Sequence, residues 1–178
     1  MLLMMGAAAS GGNATAGEEA GARFEALTAA FLERYLTEYP ETATRLGDHR
    51  FDGRWADMSP AARTERIQWL EGVHTQLAAI PVEQLEPEAA VDAAILLHHL
   101  ESSLFSMEVL RPWETNPLSA VGTVGSGLDY LAAREFAPLS QRMESLRQRL
   151  EGLPAFLADS PLENPPRVHT ETAIDQNA

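Results

Sequence analysis

Two histidines and a glutamate have the residue types of a metal site. His98 and Glu101 are three residues apart, so a helix places both on one face, which is a feasible spacing for metal ligands. It is not the His-Glu-x-x-His spacing that puts two histidines on adjacent turns. A small metal-binding bundle would use His98, Glu101 and His169, whereas the structural alternative is a helix-packing histidine whose neighbour lies at the surface.

Two other short patterns could carry chemistry. Asp48-His49-Arg50 offers an acid-base pair, but no serine or threonine nucleophile is linked to it by a motif, and adjacent residues seldom point the same way. The segment 122–127 spaces three glycines as G-x-x-G-x-G, which inverts the dinucleotide fingerprint and follows no predicted strand. We therefore expect close helix packing at these glycines.

A polar stretch at 39–59, together with the segment 111–117, concentrates arginine and aromatic residues. Loops this long inside a compact helical domain are usually functional or poorly ordered, and Phe51 and Trp55 favour an ordered one. Arginine over an aromatic ring is a common stabilising contact. The residues concerned are Arg45, Arg50, Arg54 and Arg111 with Phe51, Trp55 and Trp113. They form either a cluster of structural contacts that holds helix ends together or one wall of a ligand cleft.

The elements that must position these residues are helices. Apolar residues recur at helical spacing, for example at Phe24, Leu27, Phe31 and Tyr35, and no run alternates in the way a strand requires. Ser59 and Pro60 form a strong start signal, and Gly47 can end a short turn. We predict an all-α, irregular bundle of about six helices without a sheet. The helical segments are 18–39, 41–46, 59–80, 87–110, 119–134, 138–153 and 154–159, with a last turn near 169, and the apolar segment 87–110 is expected to be the buried central helix.

Composition excludes several functions. The 178 residues carry a formal charge of −13 and contain arginine but no lysine, so Schiff-base and Walker-type lysine chemistry is excluded. This acidic balance makes nucleic acid and anionic membrane surfaces poor partners. No cysteine is present, and no stretch has the length of a membrane span. We predict no cofactor and no metal ligand in this chain.

The linear organisation has three parts. Residues 1–17 are expected to be a disordered tail or the remnant of a signal peptide, so the protein is either cytoplasmic or exported. Residues 18–160 are expected to form the helical bundle. Residues 161–178 read as a proline-rich crossing followed by the start of a truncated helix.

A succession of motifs resembles a large bacterial family, the domain of unknown function 885. The motifs cover about 24–176 in the expected order, and each alone is modest. They are Phe31-Leu32-x-x-Tyr35-Leu36, Pro40-x-x-Ala43-Thr44-x-Leu46-Gly47-Asp48-His49-x-Phe51-Asp52, Trp55-x-Asp57-x-Ser59, Arg111-Pro112-Trp113-Glu114-x-Asn116-Pro117, Arg149-Leu150-x-x-Leu153-Pro154, Asn164-x-Pro166 and Glu171-x-Ala173-Ile174-x-Gln176.

The resemblance implies a longer helical protein, similar to zinc peptidases, whose site is built on a downstream His-Glu-x-x-x-Gly-His-His-type helix. This chain contains no His-Glu pair, so no catalytic residue and no family metal ligand can be assigned to it. The resemblance therefore implies an N-terminal portion that roofs a substrate cleft, with zinc bound elsewhere in the full-length protein. Its partners would be the C-terminal catalytic region and a peptide substrate.

In that setting, the predicted cleft rim consists of His49, Arg50, Asp52, Trp55, Arg111, Trp113 and Asn116. The alternatives are a stand-alone helical interaction module and the small metal-binding bundle. If the chain is a fragment, we also expect a contiguous exposed apolar patch on the face that meets the remainder.

Overall fold

The computed structural model describes residues 10–159 and 165–176, which form eight α-helices and no strand. The all-α prediction is confirmed, whereas the prediction of about six helices is wrong. The helices are α1 (Ser10–Glu38), α2 (Pro40–Leu46), α3 (Pro60–Ala78), α4 (Pro87–Phe105), α5 (Pro112–Thr115), α6 (Pro117–Ala133), α7 (Leu139–Ala158) and α8 (Arg167–Gln176). Short 3₁₀ turns lie at His49–Phe51 and Val82–Gln84, and a π-helical turn lies at Ser106–Leu110.

Prolines account for the additional helices. Pro40 and Pro112 stand at the first positions of α2 and α5, where the missing N–H has no helical partner and the fixed φ suits the helix. Each of these prolines therefore begins a short helix where the sequence predicted a single turn or a rigid aromatic turn. At α3, the Ser59 hydroxyl accepts a hydrogen bond from the Ala62 N–H at 3.2 Å, which confirms the predicted N-cap.

Two helices extend beyond their predicted limits. Helix α1 begins at Ser10, eight residues before the predicted start at Glu18, and the added segment contains three glycines but no proline that would stop a helix. Helix α7 continues through Pro154 instead of ending before it. Both Pro154 and Leu150 are exposed, so water can reach the carbonyl that loses its helical donor.

The part of the chain in the structure divides into two compact units, one within 1–32 and 68–104 and the other within 33–67 and 105–178. The buried residues of the first unit are apolar in the part that the structure describes, and they include Phe24, Phe31, Leu70 and Leu100. Phe31 stacks on Trp69 with ring centroids 5.4 Å apart. This unit is an ordinary hydrophobic core between helices.

Helix α4 is less buried than its sequence predicts. It buries Ala93, Leu96 and Leu100 on one face, while Val91 and Ile95 are exposed. The expectation that the segment 87–110 is buried on several sides is therefore wrong for the described chain. An apolar helix surface indicates burial only when another element is available to cover it.

The second unit has a different interior. Its buried apolar side chains in the described chain are few, and buried arginines take their place. Four arginines are buried, with 0 to 8% of their surface exposed: Arg63, Arg66, Arg142 and Arg149. A guanidinium can donate five hydrogen bonds, and each of these side chains donates to at least one backbone carbonyl oxygen.

Helix α7 carries its polar and apolar residues on unexpected faces. It buries Arg142, Arg149 and Phe156, which are seven residues apart and lie on one side of the helix. Four of its large apolar residues are instead exposed, namely Leu139 (64% exposed), Met143 (51%), Leu150 (49%) and Leu157 (48%). The leucine face of α7, defined by Leu139, Met143, Leu150 and Leu157, is thus open to solvent.

Some predictions lie outside the described residues. The structure does not describe residues 1–9 of the expected tail or residues 160–164 of the expected proline-rich crossing. The division of the chain at 17 and 160 therefore stays a prediction. Within the described residues, no helix has the length and apolar character that crossing a membrane requires.

Candidate functional site

The loop after α2 begins with a left-handed glycine. Gly47 has φ 95°, and its N–H donates to the Thr44 carbonyl at 3.1 Å, which ends the helix as the sequence predicts. Asp48 then caps the following 3₁₀ turn by accepting a hydrogen bond from the Arg50 N–H at 3.1 Å. The loop is ordered by local hydrogen bonds before any long side chain contributes.

His49 and Asp52 belong to a buried hydrogen-bonded chain. The imidazole Nδ1 of His49 lies 3.0 Å from Asp52 Oδ2, and the ring stacks on Phe136 with centroids 3.6 Å apart. The Thr44 hydroxyl donates to Asp52 Oδ1 at 2.8 Å and accepts a hydrogen bond from Arg149 Nη2 at 2.7 Å. His49 and Asp52 therefore fix the loop to the interior of the second unit.

Arg149 is the centre of this chain. Its side chain is fully buried and donates to the carbonyl oxygens of Arg54 at 3.2 Å and Pro40 at 3.3 Å, and also to that of Gly127. Burial lowers the pKa of this guanidinium, and the nearby Glu41 and Asp52 carboxylates oppose that shift. The side chain ties the loop to two helices at once.

Trp55 occupies a closely fitted position beside Arg149. Its indole N–H donates to the Arg149 carbonyl at 2.6 Å, and its ring stacks on Phe156 with centroids 5.0 Å apart. A Cβ built on Gly127 would lie 2.8 Å from the indole ring. Close helix packing is therefore confirmed at Gly127, but Gly122 and Gly125 have no neighbour within 4 Å of a built Cβ.

Arg50 is exposed and forms ion pairs. Its guanidinium bonds Glu33 at 2.7 Å and Asp48 at 2.7 Å. Hydrogen bonds from Arg50 lower the pKa of both carboxylates, most strongly through its side chain. These contacts are those of a surface bridge between the loop and α1, since all donors point to the protein's own carboxylates.

The segment around α5 holds the other three predicted residues. Arg111 ends the π-helical turn in a left-handed conformation with φ 48°, pairs with Glu114, and lies 5.1 Å from the centroid of the Trp113 ring. Asn116 caps α6 by accepting a hydrogen bond from the Leu118 N–H at 3.1 Å. Trp113 therefore lies in a four-residue helix bounded by the left-handed Arg111 and the extended Asn116.

Trp113 forms a wall of a cavity of about 310 Å³ within the second unit. We call this space the Trp113 cavity. Its charged lining residues are Glu41, Arg45, Arg63 and Arg66. The rest of the lining is aromatic, apolar or hydroxyl-bearing and comprises Tyr39, Thr42, Ala56, Met58, Ser106, Met107, Pro112, Trp113, Ser119, Thr123, Ser126 and Tyr130.

Two of the seven predicted rim residues line cavities of the second unit. Trp113 and Asn116 line a second, small cavity of about 60 Å³ that shares Met58 and Thr123 with the Trp113 cavity. His49, Arg50, Asp52, Trp55 and Arg111 line neither of these two cavities. The contacts of these five residues described above are with other groups of the protein and hold the loop and the helix ends in place.

Two arginines that the sequence did not single out dominate the Trp113 cavity. Arg63 lies over the Trp113 ring at 4.0 Å and donates to the Met58 carbonyl, and burial lowers its pKa. Arg66 lies over the Tyr39 ring at 5.0 Å and pairs with Glu38 at 3.2 Å. Burial raises the pKa of Tyr39 to about 12, so its hydroxyl is neutral and available as a donor or acceptor.

No described residues form a metal site. No group of three or more histidine, aspartate or glutamate side chains among residues 10–159 and 165–176 is arranged to hold a metal ion. The metal interpretation of His98, Glu101 and His169 thus has no support here. Instead, His99 packs edge-on against Phe31 with centroids 5.9 Å apart while His98 is exposed, which confirms the structural alternative.

The comparisons with known proteins agree with the fold. A family model described as a bacterial protein of unknown function, DUF885, matches residues 40–178, which is more than half of the chain. The chain belongs to the DUF885 family. No curated protein matches it.

One solved structure has a similar helical arrangement. It is named "a putative lipoprotein of unknown function from Shewanella oneidensis" and aligns with a TM-score of 0.78 at 24% identity. The alignment covers 86% of this chain but 28% of that one, so the chain spans less than a third of the length of this neighbour. At this identity the likeness shows a shared fold alone.

Proposed function

We propose that this DUF885 chain is the N-terminal helical portion of a larger, zinc-dependent peptidase-like protein and borders its substrate cleft without supplying catalytic groups. The observation that carries the proposal is the leucine face of α7, which is exposed while arginines fill the neighbouring, buried face. Apolar residues at helical spacing on an exposed face are typical of a surface that another element covers. The covering element in this proposal is the remainder of the same polypeptide.

The length of the structural neighbour supports the same proposal. The neighbour from Shewanella oneidensis contains this fold as 28% of its chain. A protein of that size has room for a second helical region against the leucine face. Zinc would belong to that region, because the described residues of this chain do not fit a zinc site.

Within the proposal, Trp113 and Asn116 are the rim residues with the strongest geometric support, since both line cavities of the second unit. The other five, namely His49, Arg50, Asp52, Trp55 and Arg111, would hold the rim in place through the contacts described above. The rim assignment as a whole remains a prediction of this proposal.

The first test is the nucleotide sequence that follows the codon for Ala178. An open frame that encodes a His-Glu-x-x-x-Gly-His-His-type motif supports the proposal, and a stop codon with no further frame contradicts it. The longer product should then bind zinc and hydrolyse peptides, while the 178-residue chain alone should do neither.

The second test uses variants of the longer product. Trp113→Ala and Asn116→Ala should lower kcat/KM for peptides, because both residues line the proposed rim. Arg147→Ala is the matched control, since Arg147 is exposed on α7 and pairs only with Glu144 and Glu151 of the same helix. Equal kcat/KM values for all three variants would contradict the rim role of Trp113 and Asn116. They would not affect the assignment of this chain as an N-terminal portion, which the first test decides.

A further inference from the structure

The Trp113 cavity differs in charge from the chain that contains it. The chain has a formal charge of −13, whereas the cavity is lined by three arginines and one glutamate. Its volume of about 310 Å³ is at the lower end of the range of roughly 300–1,000 Å³ in which small-molecule sites fall. The cavity is therefore a locally cationic, small-molecule-sized space in an acidic protein.

Arg63 distinguishes the cavity from the structural arginines. Its side chain is 7% exposed, yet within the described residues no carboxylate lies within 4.0 Å of it and its one hydrogen bond goes to the Met58 carbonyl. Arg66 has the Glu38 carboxylate, and Arg149 uses each of its three nitrogens. Arg63 thus keeps most of its donors for a group in the cavity, and its contact with the Trp113 ring holds the guanidinium at the cavity wall.

The opposite polar lining supplies acceptors. Ser119, Thr123 and Ser126 recur at intervals of four and three residues, so they lie along one face of α6. The Thr123 hydroxyl donates to the Ser119 carbonyl at 2.9 Å, and the Ser126 hydroxyl donates to the Gly122 carbonyl at 2.8 Å. Because these hydroxyl protons are used by the helix itself, the oxygens face a ligand as acceptors.

We propose that the Trp113 cavity binds a small organic carboxylate that also carries an N–H donor and an apolar body. Arg63 holds the carboxylate through charge-assisted hydrogen bonds, the α6 hydroxyl oxygens accept from the N–H group, and Trp113 and Tyr39 contact the apolar body. An N-acylated amino acid and the C-terminal residue of a peptide share this chemistry. The site lies wholly within this chain, so the inference stands independently of the proposed peptidase context.

The test is a titration of the 178-residue chain with three probes. Binding is monitored through the indole N–H signal of Trp113 in NMR spectra. N-acetylphenylalanine carries every feature, its C-terminal amide lacks the charge, and 3-phenylpropanoate lacks the N–H. We expect saturable binding of N-acetylphenylalanine and binding of each of the other probes that is roughly tenfold or more weaker, because each loses one hydrogen-bonding group. Equal binding of the uncharged amide would overturn the proposal.

Two variants and a control assign the binding to the cavity. Arg63→Met should weaken N-acetylphenylalanine binding by roughly tenfold or more, and Thr123→Phe should block it by filling the cavity while leaving the charges in place. Arg147→Met removes an arginine that lies outside the cavity and should change nothing. If Arg63→Met does not fold, Thr123→Phe decides alone, and undiminished binding to that variant contradicts the site.

Discussion

At the scale of single residues, Arg149 shows why an arginine can occupy a fully buried position in this chain. Its three nitrogens donate to three carbonyl oxygens and one hydroxyl, so the cost of removing the charge from water is offset by hydrogen bonds at each nitrogen. The nearby carboxylates of Glu41 and Asp52 favour its charged form. No apolar side chain could satisfy the same backbone oxygens.

The first prediction concerns this position. Arg149→Met should lower the free energy of unfolding by roughly 3 kcal/mol or more, because it leaves buried carbonyl oxygens and the Thr44 hydroxyl without their donor and removes the positive charge near Glu41 and Asp52. Arg147→Met is the matched control two residues away, on the exposed side of α7, and should change stability by no more than about 0.5 kcal/mol. Urea unfolding followed by circular dichroism measures both, and similar midpoints for the two variants would contradict the role given to Arg149.

The second prediction concerns Tyr39 and pH. Burial raises the pKa of its hydroxyl from 10.0 to about 12, so the folded protein holds this proton more tightly than the unfolded chain. The contribution of Tyr39 to the free energy of unfolding is therefore constant below pH 10. It falls between pH 10 and about 12, because the unfolded chain loses the proton first. Stability measured from pH 9 to 11.5 should decline more in the wild type than in Tyr39→Phe, and parallel curves would show that the hydroxyl is solvated.

At the scale of elements, the glycines of α6 are not equivalent. Gly127 faces Trp55, which is fixed by its hydrogen bond to the Arg149 carbonyl and by stacking on Phe156, whereas Gly125 faces open space. The sequence pattern predicted close packing for the whole group because spacing alone does not show which residues face a neighbour. The structure restricts that role to Gly127.

The third prediction follows as a pair of identical substitutions. Gly127→Ala should destabilise the protein by about 1–3 kcal/mol, because the new methyl group overlaps the fixed indole ring. Gly125→Ala should instead stabilise it by about 0.5–1 kcal/mol, because alanine favours a helix interior over glycine. Thermal unfolding of the two variants should shift the midpoint in opposite directions, and shifts of the same sign would show that the Trp55 contact is not rigid.

Helix α7 shows how far periodicity can be read. The spacing of Leu139, Met143, Leu146 and Leu150 correctly predicted a helix, because one face of a helix repeats at this interval. Such an apolar stripe is usually the buried face of a helix, yet here Arg142 and Arg149 are buried while Leu139, Met143 and Leu150 are exposed. Periodicity identifies the two faces of a helix, but the rest of the fold decides which one is covered.

The candidate site was predictable to a similar extent. Trp113 stood out as an aromatic residue in the segment 111–117, and Asn116 stood out as part of the family-like motif in the same segment; both line cavities. Arg63 and Arg66 did not stand out, because isolated arginines in a helix look like surface residues until the fold buries them. His49 and Asp52 looked like a chemical pair, whereas their contacts with Phe136 and Thr44 are structural.

At the scale of the whole molecule, the two units differ in what fills them. The buried residues described for the first unit are apolar, whereas the second unit buries four arginines and leaves its leucine face exposed. Hydrogen bonds to arginine can fix a local geometry, but they do not remove apolar area from water. The second unit is therefore the part of the chain whose surface should respond most to a covering partner.

The last prediction tests that surface directly. With the leucine face uncovered, the isolated chain should self-associate at high concentration, although like charges from its formal −13 oppose contact at low salt. The double variant Met143→Gln/Leu150→Gln should weaken this association by roughly tenfold or more, because each apolar side chain contributes about 1.5–3 kcal/mol when buried. Since both residues are exposed, the variant should unfold at the same urea concentration as the wild type.

Sedimentation velocity in 0.15 and 0.5 M salt over a range of protein concentrations separates the outcomes of this prediction. Association that strengthens with salt and disappears in the double variant indicates an apolar contact through α7, because salt screens the repulsion between chains while burial of leucine is retained. Arg147→Gln, which changes a charge beside the same face, controls for electrostatic effects. A wild type that stays monomeric at both salt concentrations would mean that the leucine face is stable in water without a partner, and the case for a covering region would then be lost.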